Sequence, residues 1–184
     1  MREMRETGWC IWVTGLPGSG KSTVSHALLE RLEEQGIHAQ ILSSDMLRKV
    51  VTPNPRYTEE ERDIVYGAIV FVAKLLTGNG VNVIIDATAN RRRYRDKARK
   101  EIAKFMEAYL RCPLDVCIRR ESERKGDIFH APKGIYKKAL TGESATVPGI
   151  GVPYEEPKSP EVVIDSDKLT PEECAERILE TMTL

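Results

Sequence analysis

A glycine-rich segment near the start of the chain constrains its fold more than any other feature. The segment fits the pattern G-x-x-x-x-G-K-[ST], follows the apolar run Cys10–Thr14, and leads into a helical stretch from Lys21 to about Gln35. In a strand–loop–helix unit of this kind, backbone N–H groups of the loop surround phosphate oxygens, and the helix N-terminus adds its positive end. The sequence therefore predicts a phosphate-binding loop, hereafter the P-loop.

Two side chains of the P-loop have predicted roles in phosphoryl transfer. Lys21 is placed to reach the β- and γ-phosphates, and the Ser22 hydroxyl is a candidate Mg²⁺ ligand. The other expected nucleotide contacts in this segment are Gly15, Leu16, Pro17, Gly18, Ser19, Gly20 and Thr23. We therefore expect the chain to bind a Mg-bound nucleotide, ATP, and to transfer its γ-phosphoryl group to a small acceptor.

Strand and helix signals alternate along the chain, which predicts an α/β fold with a mainly parallel sheet. Expected strands lie at 10–14, 39–42, 81–85, 108–111 and 162–164, and expected helices at 21–35, 58–77, 91–104 and from 170 onward. No repeat or linker divides the 184 residues, so we expect one domain spanning 1–184. A charge-dense stretch followed by a Gly- and Pro-rich loop predicts a mobile lid at about 119–157.

Composition argues against several classes of partner. Lys plus Arg and Asp plus Glu number 28 each, so a formal charge of zero offers no general attraction to long nucleic acids or anionic membranes. No apolar run approaches the roughly 20 residues that span a bilayer, and residues 1–13 do not follow a signal-peptide pattern. We expect a cytoplasmic protein. The four cysteines are scattered, and Cys10 and Cys117 are expected to be buried thiols.

Two acidic residues follow predicted strands, at the edge where open α/β sheets bind ligands. Asp45 could accept the proton of an acceptor hydroxyl or hold Mg²⁺ through water, and the alternative is a cap for a helix around 46–49. We favour the functional role. Asp86 could support magnesium from a second shell, and a simple strand-end cap is a comparable alternative.

Arginines occur in three groups. Arg48 and Arg62 flank the expected acceptor site, although a solvated helix face is the alternative for either. One or two of a dense group at 91–93 and 95 are expected to meet an anionic substrate. In the third group, Arg119, Arg120 and Arg124, we expect at least one side chain to close on phosphates, and Arg120 is the candidate ATP contact.

The segment Pro132–Leu140, PKGIYKKAL, resembles the KGLYKKA lid of adenylylsulfate kinases, which phosphorylate the 3′-hydroxyl of adenosine 5′-phosphosulfate (APS). Glycines and prolines recur in register up to Asp165, so that, with the P-loop, the resemblance covers nearly the whole chain. It implies a three-layer P-loop NTPase fold with a five-stranded parallel sheet. It further implies an ATP- and magnesium-dependent kinase of sulfate assimilation that acts on APS and is a possible homodimer.

The resemblance also implies roles for individual residues. Asp45 matches the family's catalytic aspartate, and Arg48 and Arg62 match its two substrate arginines. Tyr57 stands at the position of an aromatic ring that stacks on the substrate. The remaining expected substrate contacts belong to the lid motif and are Lys133 and Lys138.

Several positions depart from the family pattern. Ser43-Ser44 replaces Asp-Gly, Val65 replaces an asparagine, Ala89-Asn90 replaces Ser-Pro, and Val147 replaces the lid phenylalanine that covers adenine. About ten residues, 121–130, are inserted before the lid motif. The segments Ser-Ser-Asp-Met-Leu-Arg and Asp-Ala-Thr-Ala-Asn resemble a wider group of P-loop kinases that includes polynucleotide-end kinases and the kinase acting on seryl-tRNA.

Three hypotheses of function follow from these features. The first is phosphorylation of APS. The second is a P-loop kinase of another small alcohol or of a nucleic-acid end, which the lost asparagine and lid phenylalanine favour. The third is a non-catalytic nucleotide-binding switch protein, against which the position of Asp45 and a lid of acceptor size argue.

Overall fold

The structure is a computed structural model that describes residues 6–126, 129 and 131–183. Strands and helices alternate through these residues, as the sequence predicts. In chain order the elements are β1 Cys10–Thr14, α1 Lys21–Glu34, β2 Ala39–Ser43, α2 Ser44–Val51, α3 Glu59–Gly78, β3 Asn82–Asp86, α4 Arg92–Glu101, β4 Phe105–Arg111, α5 Leu114–Glu123, α6 Ile135–Leu140, β5 Val162–Asp165 and α7 Pro171–Thr181.

The five strands form one parallel sheet in the order β2-β3-β1-β4-β5. The central strand β1 is buried over its whole length, as its continuous apolar run requires. Val13 of β1 and Ser43 of β2 both pair with Asp86 of β3, so these three strands end at the same level. The P-loop and the predicted acidic residues therefore meet at one edge of the sheet.

Alternating residues of β1 enter two separate cores. Ile11 and Val13 pack with residues of α1 and α7 on one face, among them Leu28. Trp12 packs on the other face with residues of α3 and α4, among them Ile69. Burying each large apolar side chain stabilises the fold by roughly 1.5–3 kcal/mol. Helices on both faces of the sheet give the three layers that the family resemblance implies.

The boundary between α4 and β4 differs from the prediction. The helix ends at Glu101 rather than at residue 104, and β4 begins at Phe105 rather than at residue 108. Ile102 is already extended, and Phe105 and Met106 pair with β1. Pairing with the central strand therefore overrides the helical preference of the short segment between the two elements.

The lid region packs on the P-loop through a third, smaller cluster, hereafter the lid cluster. It is formed by Cys112, Cys117, Tyr136 and Val147. The Tyr136 hydroxyl, in the middle of the lid motif, donates a hydrogen bond of 2.7 Å to the Pro17 carbonyl. Helix α5 begins at Leu114 and runs into the segment predicted as a lid, whose bounds at about 119–157 stay a prediction. The mobility of the lid also stays a prediction, and residues 127, 128 and 130 of the predicted insertion lie outside the described part. Within the described ranges, no helix has the length and apolar character needed to cross a bilayer.

Candidate active site

A cavity of about 460 Å³ opens between the P-loop, the carboxyl ends of the strands and the lid. It contains most of the residues predicted from the sequence, although they come from distant parts of the chain. The predicted residues that line it are Pro17, Gly18, Gly20, Lys21, Ser22, Thr23, Asp45, Arg48, Tyr57, Arg62, Asp86, Arg120, Arg124, Lys133 and Lys138. A shallower depression beside the ends of β4 and β5 contains Leu16 but none of the acidic or cationic candidates.

The P-loop approaches α5 closely at Gly18. Its φ of +81° favours glycine, and a Cβ at this position would lie 2.5 Å from the Cys117 carbonyl oxygen. The residue before α1, Gly20, provides no side-chain cap for the first turn of that helix. Because the first N–H groups of a helix need partners, the N-terminus of α1 is suited to bind phosphate. Gly15 and Ser19 are buried within the loop and do not line the cavity.

Lys21 and Ser22 project from the first turn of α1. The Lys21 ammonium donates to the Leu16 carbonyl at 2.9 Å, and burial lowers its pKa against the opposing charges of Asp86 and Asp45. The Ser22 hydroxyl donates a hydrogen bond of 2.6 Å to Asp86 Oδ2. Burial raises the pKa of Asp86, and Lys21 and the Ser22 bond oppose that shift. This bond favours the second-shell magnesium role of Asp86 over a strand-end cap.

Hydroxyl and carboxylate oxygens are the ligands that Mg²⁺ prefers, so Ser22 and Asp86 fit this ion. Across the part of the chain that the structure describes, no three His, Cys, Asp or Glu side chains cluster closely enough to enclose a metal. A magnesium ion at this site would therefore take most of its ligands from nucleotide phosphates and water, as is usual for Mg²⁺ in kinases.

Asp45 lies in the first turn of α2 without capping it. Ser43 is the N-cap, and its hydroxyl accepts from the Met46 N–H at 3.4 Å. The alternative role of Asp45 as a helix cap is therefore wrong. Burial, followed by the charge of Asp86, raises the pKa of Asp45 to about 6, against the opposing charges of Lys21, Arg48 and Arg124. A carboxylate that titrates near neutral pH suits a general base.

Arg48 and Tyr57 form one wall of the cavity. The Arg48 guanidinium carbon lies 4.9 Å from the centroid of the Tyr57 ring, a cation–π contact. Arg48 is only 6% exposed, and its buried Nη1 has no hydrogen-bond partner among the described residues. A solvated helix face is therefore wrong for Arg48. Since an unpaired buried donor is costly, this nitrogen is available for an anionic ligand.

The loop that carries Tyr57 is held by Glu61. Its carboxylate accepts from the N–H groups of Arg56 at 2.8 Å and Tyr57 at 2.6 Å, and Tyr57 has a φ of +57°. The Thr58 hydroxyl accepts from the Glu61 N–H at 3.2 Å. Thr58 therefore caps α3, and the Glu61 side chain holds the residues before the cap. These bonds hold the backbone of the loop whose Tyr57 side chain lines the cavity.

Arg62 is also buried, at 6% exposure, so a solvated position is wrong for this arginine too. Its Nε donates to the Tyr57 carbonyl at 3.2 Å, and its Nη2 donates to the Thr146 carbonyl at 2.6 Å. Its Nη1 donates to Asn90 Oδ1 at 3.2 Å. One guanidinium thereby joins the Tyr57 loop, the turn after β3 and the lid.

The three lid arginines differ in position. Arg120 donates to the Ser166 carbonyl at 2.9 Å and approaches the Ser19 carbonyl at 3.5 Å, beside the P-loop. Arg124 lines the cavity and donates to carbonyls of the segment before the lid motif. Arg119 is exposed and does not line the cavity. Arg120 and Arg124 are therefore the candidates for contacts with phosphate.

The prediction that one or two of the arginines at 91–93 and 95 bind substrate is not supported, because acidic side chains pair with three of them and the fourth, Arg92, donates to the Glu156 carbonyl. Arg95 is 1% exposed, and its Nε lies 2.7 Å from Glu107 Oε1. Arg91 pairs with Glu155 at 3.2 Å. Arg93 pairs with Asp63. These partners are distant in sequence, so the spacing of the arginines alone could not reveal them.

Two departures from the family pattern are buried apolar positions. Val65 is fully buried in the core beside α3, and Val147 is 6% exposed in the lid cluster. Sequence reasoning missed several residues that line the cavity, since nothing in their types or spacing marked them. These are Tyr66, Thr88, Phe129, Ser144 and Thr146.

Comparisons with known proteins agree with this geometry. The sequence model of the family described as adenylylsulphate kinase matches residues 7–165. A probable adenylyl-sulfate kinase from Pyrococcus abyssi is 41% identical over 172 residues, covering 94% of this chain and 93% of that protein. The adenylyl-sulfate kinase of Rippkaea orientalis is 39% identical over 175 residues, with 95% and 91% covered.

A solved structure extends the similarity to three dimensions. The Mycobacterium tuberculosis APS kinase in complex with AMPPNP and APS has a TM-score of 0.82 to this chain at 32% identity. The match covers 95% of this chain and 97% of that one. Sequence, fold and the arrangement of the cavity lead to the same conclusion: the chain belongs to the adenylylsulphate kinase family.

Proposed function

We propose that this protein transfers the γ-phosphoryl group of ATP to the 3′-hydroxyl of APS. The observation that carries the proposal is the shared cavity, in which the P-loop faces Asp45 and the two arginines expected to bind the acceptor. The names of the relatives support this acceptor, as does the solved M. tuberculosis complex, which contains AMPPNP and APS.

In this reaction the P-loop backbone and the N-terminus of α1 hold the phosphates of ATP. Lys21 stabilises negative charge on the transferred group, because it is a buried cation that lines the cavity at the start of α1. Ser22, hydrogen-bonded to Asp86, would hold Mg²⁺. When bound, that ion offsets the charge of the phosphate oxygens.

Asp45 accepts the proton of the attacking hydroxyl. Its carboxylate lies at the carboxyl edge of the sheet, in the same cavity as Lys21. Its raised pKa, about 6, leaves it mostly ionised above neutral pH while still basic enough to take a proton. Proton removal makes the acceptor oxygen a stronger nucleophile toward the γ-phosphorus.

The acceptor binds on the side of the cavity opposite the P-loop. Arg48 and Arg62 hold its anionic end, and Tyr57 stacks on its adenine. Lys133 and Lys138 are exposed at the rim and add positive charge from the lid. Since exposed lysines are strongly screened, we expect them to contribute less than the two buried arginines.

A second candidate is a kinase of another small alcohol. It is favoured by the apolar residues Val65 and Val147. They replace the asparagine and the lid phenylalanine that the family resemblance implies at the acceptor site. A screen with Mg-ATP and one candidate acceptor at a time, read as ADP release, separates the candidates. APS, gluconate and an oligonucleotide with a 5′-hydroxyl form a suitable set, and we expect release only with APS. Release with another acceptor and none with APS would leave only the kinase class.

The same experiment tests the non-catalytic alternative. A switch protein would hydrolyse or hold ATP without any dependence on an acceptor, whereas a kinase releases ADP in proportion to acceptor consumed. Chelation of magnesium by EDTA is expected to stop the release. A homodimer and a cytoplasmic location, both expected from the sequence, stay predictions, and sedimentation of the purified protein tests the first.

A further inference from the structure

Asn90 lies in the turn between β3 and α4, within the segment Asp86–Asn90 that resembles other P-loop kinases. It is 2% exposed. Buried amides need hydrogen-bond partners, and this amide has one in Arg62, which lines the cavity, and one in the loop at Pro153. The chemistry described above uses Asp86 from this segment but assigns nothing to Asn90.

The two ends of the Asn90 amide contact different segments. Oδ1 accepts from Arg62 Nη1 at 3.2 Å, and Nδ2 donates to the Pro153 carbonyl at 3.2 Å. The Asn90 backbone carbonyl also accepts from the Glu155 N–H at 2.7 Å. A guanidinium only donates and a carbonyl only accepts, so Oδ1 of the amide must face Arg62 and Nδ2 must face Pro153. Asparagine is the side chain of this length that satisfies both partners.

The backbone before Asn90 is held in an unusual conformation. Ala89 is fully buried with a φ of +42°, a region that residues with a Cβ rarely adopt. Its N–H donates to the Tyr66 hydroxyl at 3.1 Å, and its carbonyl accepts from Arg95 at 2.5 Å. Strained backbone persists where the surrounding structure requires a particular side-chain direction. Here that direction points the Asn90 amide at Arg62.

Helix α3 itself offers Arg62 no comparable partner. Val65, one turn later on the same helix, is fully buried and apolar. Three of the five N–H groups of the Arg62 guanidinium are used by Tyr57, Asn90 and Thr146. The other two are left for a ligand in the cavity that Arg62 lines.

We propose that Asn90 is a positioning residue for the acceptor: its amide orients the guanidinium of Arg62 and ties it to the loop at Pro153. The inference rests on the proposed function, because it assigns Arg62 to the anionic end of APS. Asn90 itself does not touch the acceptor. It acts by holding Arg62 in one orientation before the acceptor arrives, so that less conformational freedom is lost on binding.

Steady-state kinetics of the full chain test this inference through a double-mutant cycle. Asn90→Ala is expected to raise the KM for APS about 10-fold, the size of effect typical for a hydrogen bond to a charged group, and to leave the KM for ATP within about twofold. In the Arg62→Ala background the same change is expected to alter the KM for APS by less than about twofold, because the residue through which it acts is absent.

Asn90→Asp keeps the oxygen that faces Arg62 and serves if Asn90→Ala does not fold. Its carboxylate would neutralise the guanidinium, so we expect the KM for APS to rise here as well, and again only when Arg62 is present. Arg91→Ala is the matched control. It removes a neighbouring contact to Glu155 but none to Arg62, and we expect no change in the KM for APS.

Failure of the proposed function can be distinguished from failure of the inference about Asn90. If the wild type does not phosphorylate APS, the proposed function and this inference both fall. If it does, and Asn90→Ala raises the KM for APS equally with and without Arg62, Asn90 merely supports the fold and the inference is wrong. An equal rise in the KM for APS and the KM for ATP would contradict it in the same way.

Discussion

Asp45 is half-buried and lies among charges of both signs, and its pKa follows from the balance between burial and those charges. Burial and Asp86 raise its pKa to about 6. If Asp45 is the base, kcat/KM is expected to rise with pH through about 6 and then level off, since only the ionised carboxylate accepts a proton. Asp45→Asn is expected to abolish turnover while ATP affinity stays within a few-fold. Loss of ATP binding in this variant would instead make Asp45 a metal anchor.

The same shift has a consequence for stability. Because folding raises the pKa of Asp45 from 3.8 to about 6, the folded state binds this proton more tightly than the unfolded state does. The resulting contribution to the free energy of unfolding is fully present below pH 3.8 and is lost as the pH rises through about 6. Asp45→Asn removes the buried charge. In the absence of nucleotide we therefore expect its free energy of unfolding at pH 8 to exceed that of the wild type by about 1–3 kcal/mol. Urea unfolding at pH 5 and pH 8 measures this difference, which should shrink at the lower pH.

We expect the buried Lys21 to contribute to catalysis and not to the stability of the fold. Burial lowers its pKa, so the ammonium is costly to hold in place without an anion beside it. Lys21→Ala is expected to reduce turnover by about 10²–10³ without loss of thermal stability. Lys97→Ala, an exposed lysine of α4, is the control and is expected to change neither property. Near wild-type phosphoryl transfer by Lys21→Ala would contradict the role of this residue.

Among the elements, the P-loop depends on its close contact with α5. Gly18→Ala places a Cβ 2.5 Å from the Cys117 carbonyl, so the loop or the helix must shift. We expect ADP affinity to fall at least about 10-fold, because the loop amides must match the phosphates closely. Gly36→Ala is the matched control: it has a similar positive φ, +76°, but open space around it. Both variants should lose about 1 kcal/mol from the positive φ, and only Gly18→Ala should lose affinity.

Tyr57 lies in the loop before α3 and is the aromatic side chain expected to stack on the acceptor. Val147 is packed in the lid cluster and provides apolar contact but no aromatic face. Tyr57→Ala is therefore expected to weaken APS binding by about 1–3 kcal/mol, the energy of one stacked base, whereas Tyr57→Phe keeps the ring and most of the affinity. Isothermal titration with APS, Mg²⁺ and a non-hydrolysable nucleotide measures both. Equal affinities of the Ala variant and the wild type would place the adenine elsewhere.

Elements with a local signal could be predicted from the sequence. The strand–loop–helix unit of the P-loop and the start of the last helix near residue 170 depend on neighbouring residues, and both are confirmed. The start of β4 could not be placed, because it is set by pairing with β1. Burial of Arg95 depends on Glu107, which comes to it only in the folded sheet.

At the scale of the whole molecule, the parallel sheet brings distant residues together. The number of strands could be inferred through the family resemblance, and the strand order was not predicted. The meeting of Lys21, Asp45 and Asp86 follows from any parallel sheet whose strands end at one edge. The acceptor side could be predicted less well. Arg62 is joined to Thr146, 84 residues away, by a hydrogen bond that no local pattern encodes.

The proposed phosphorylation of APS is tested most directly by identifying the product formed from APS. The purified protein is incubated with Mg-ATP and APS, and the nucleotides are separated and identified by mass spectrometry. We expect 3′-phosphorylated APS and ADP in equal amounts, with neither formed by Asp45→Asn. ADP formed at the same rate without APS, or no APS product from a protein that still binds ATP, would contradict the proposed function.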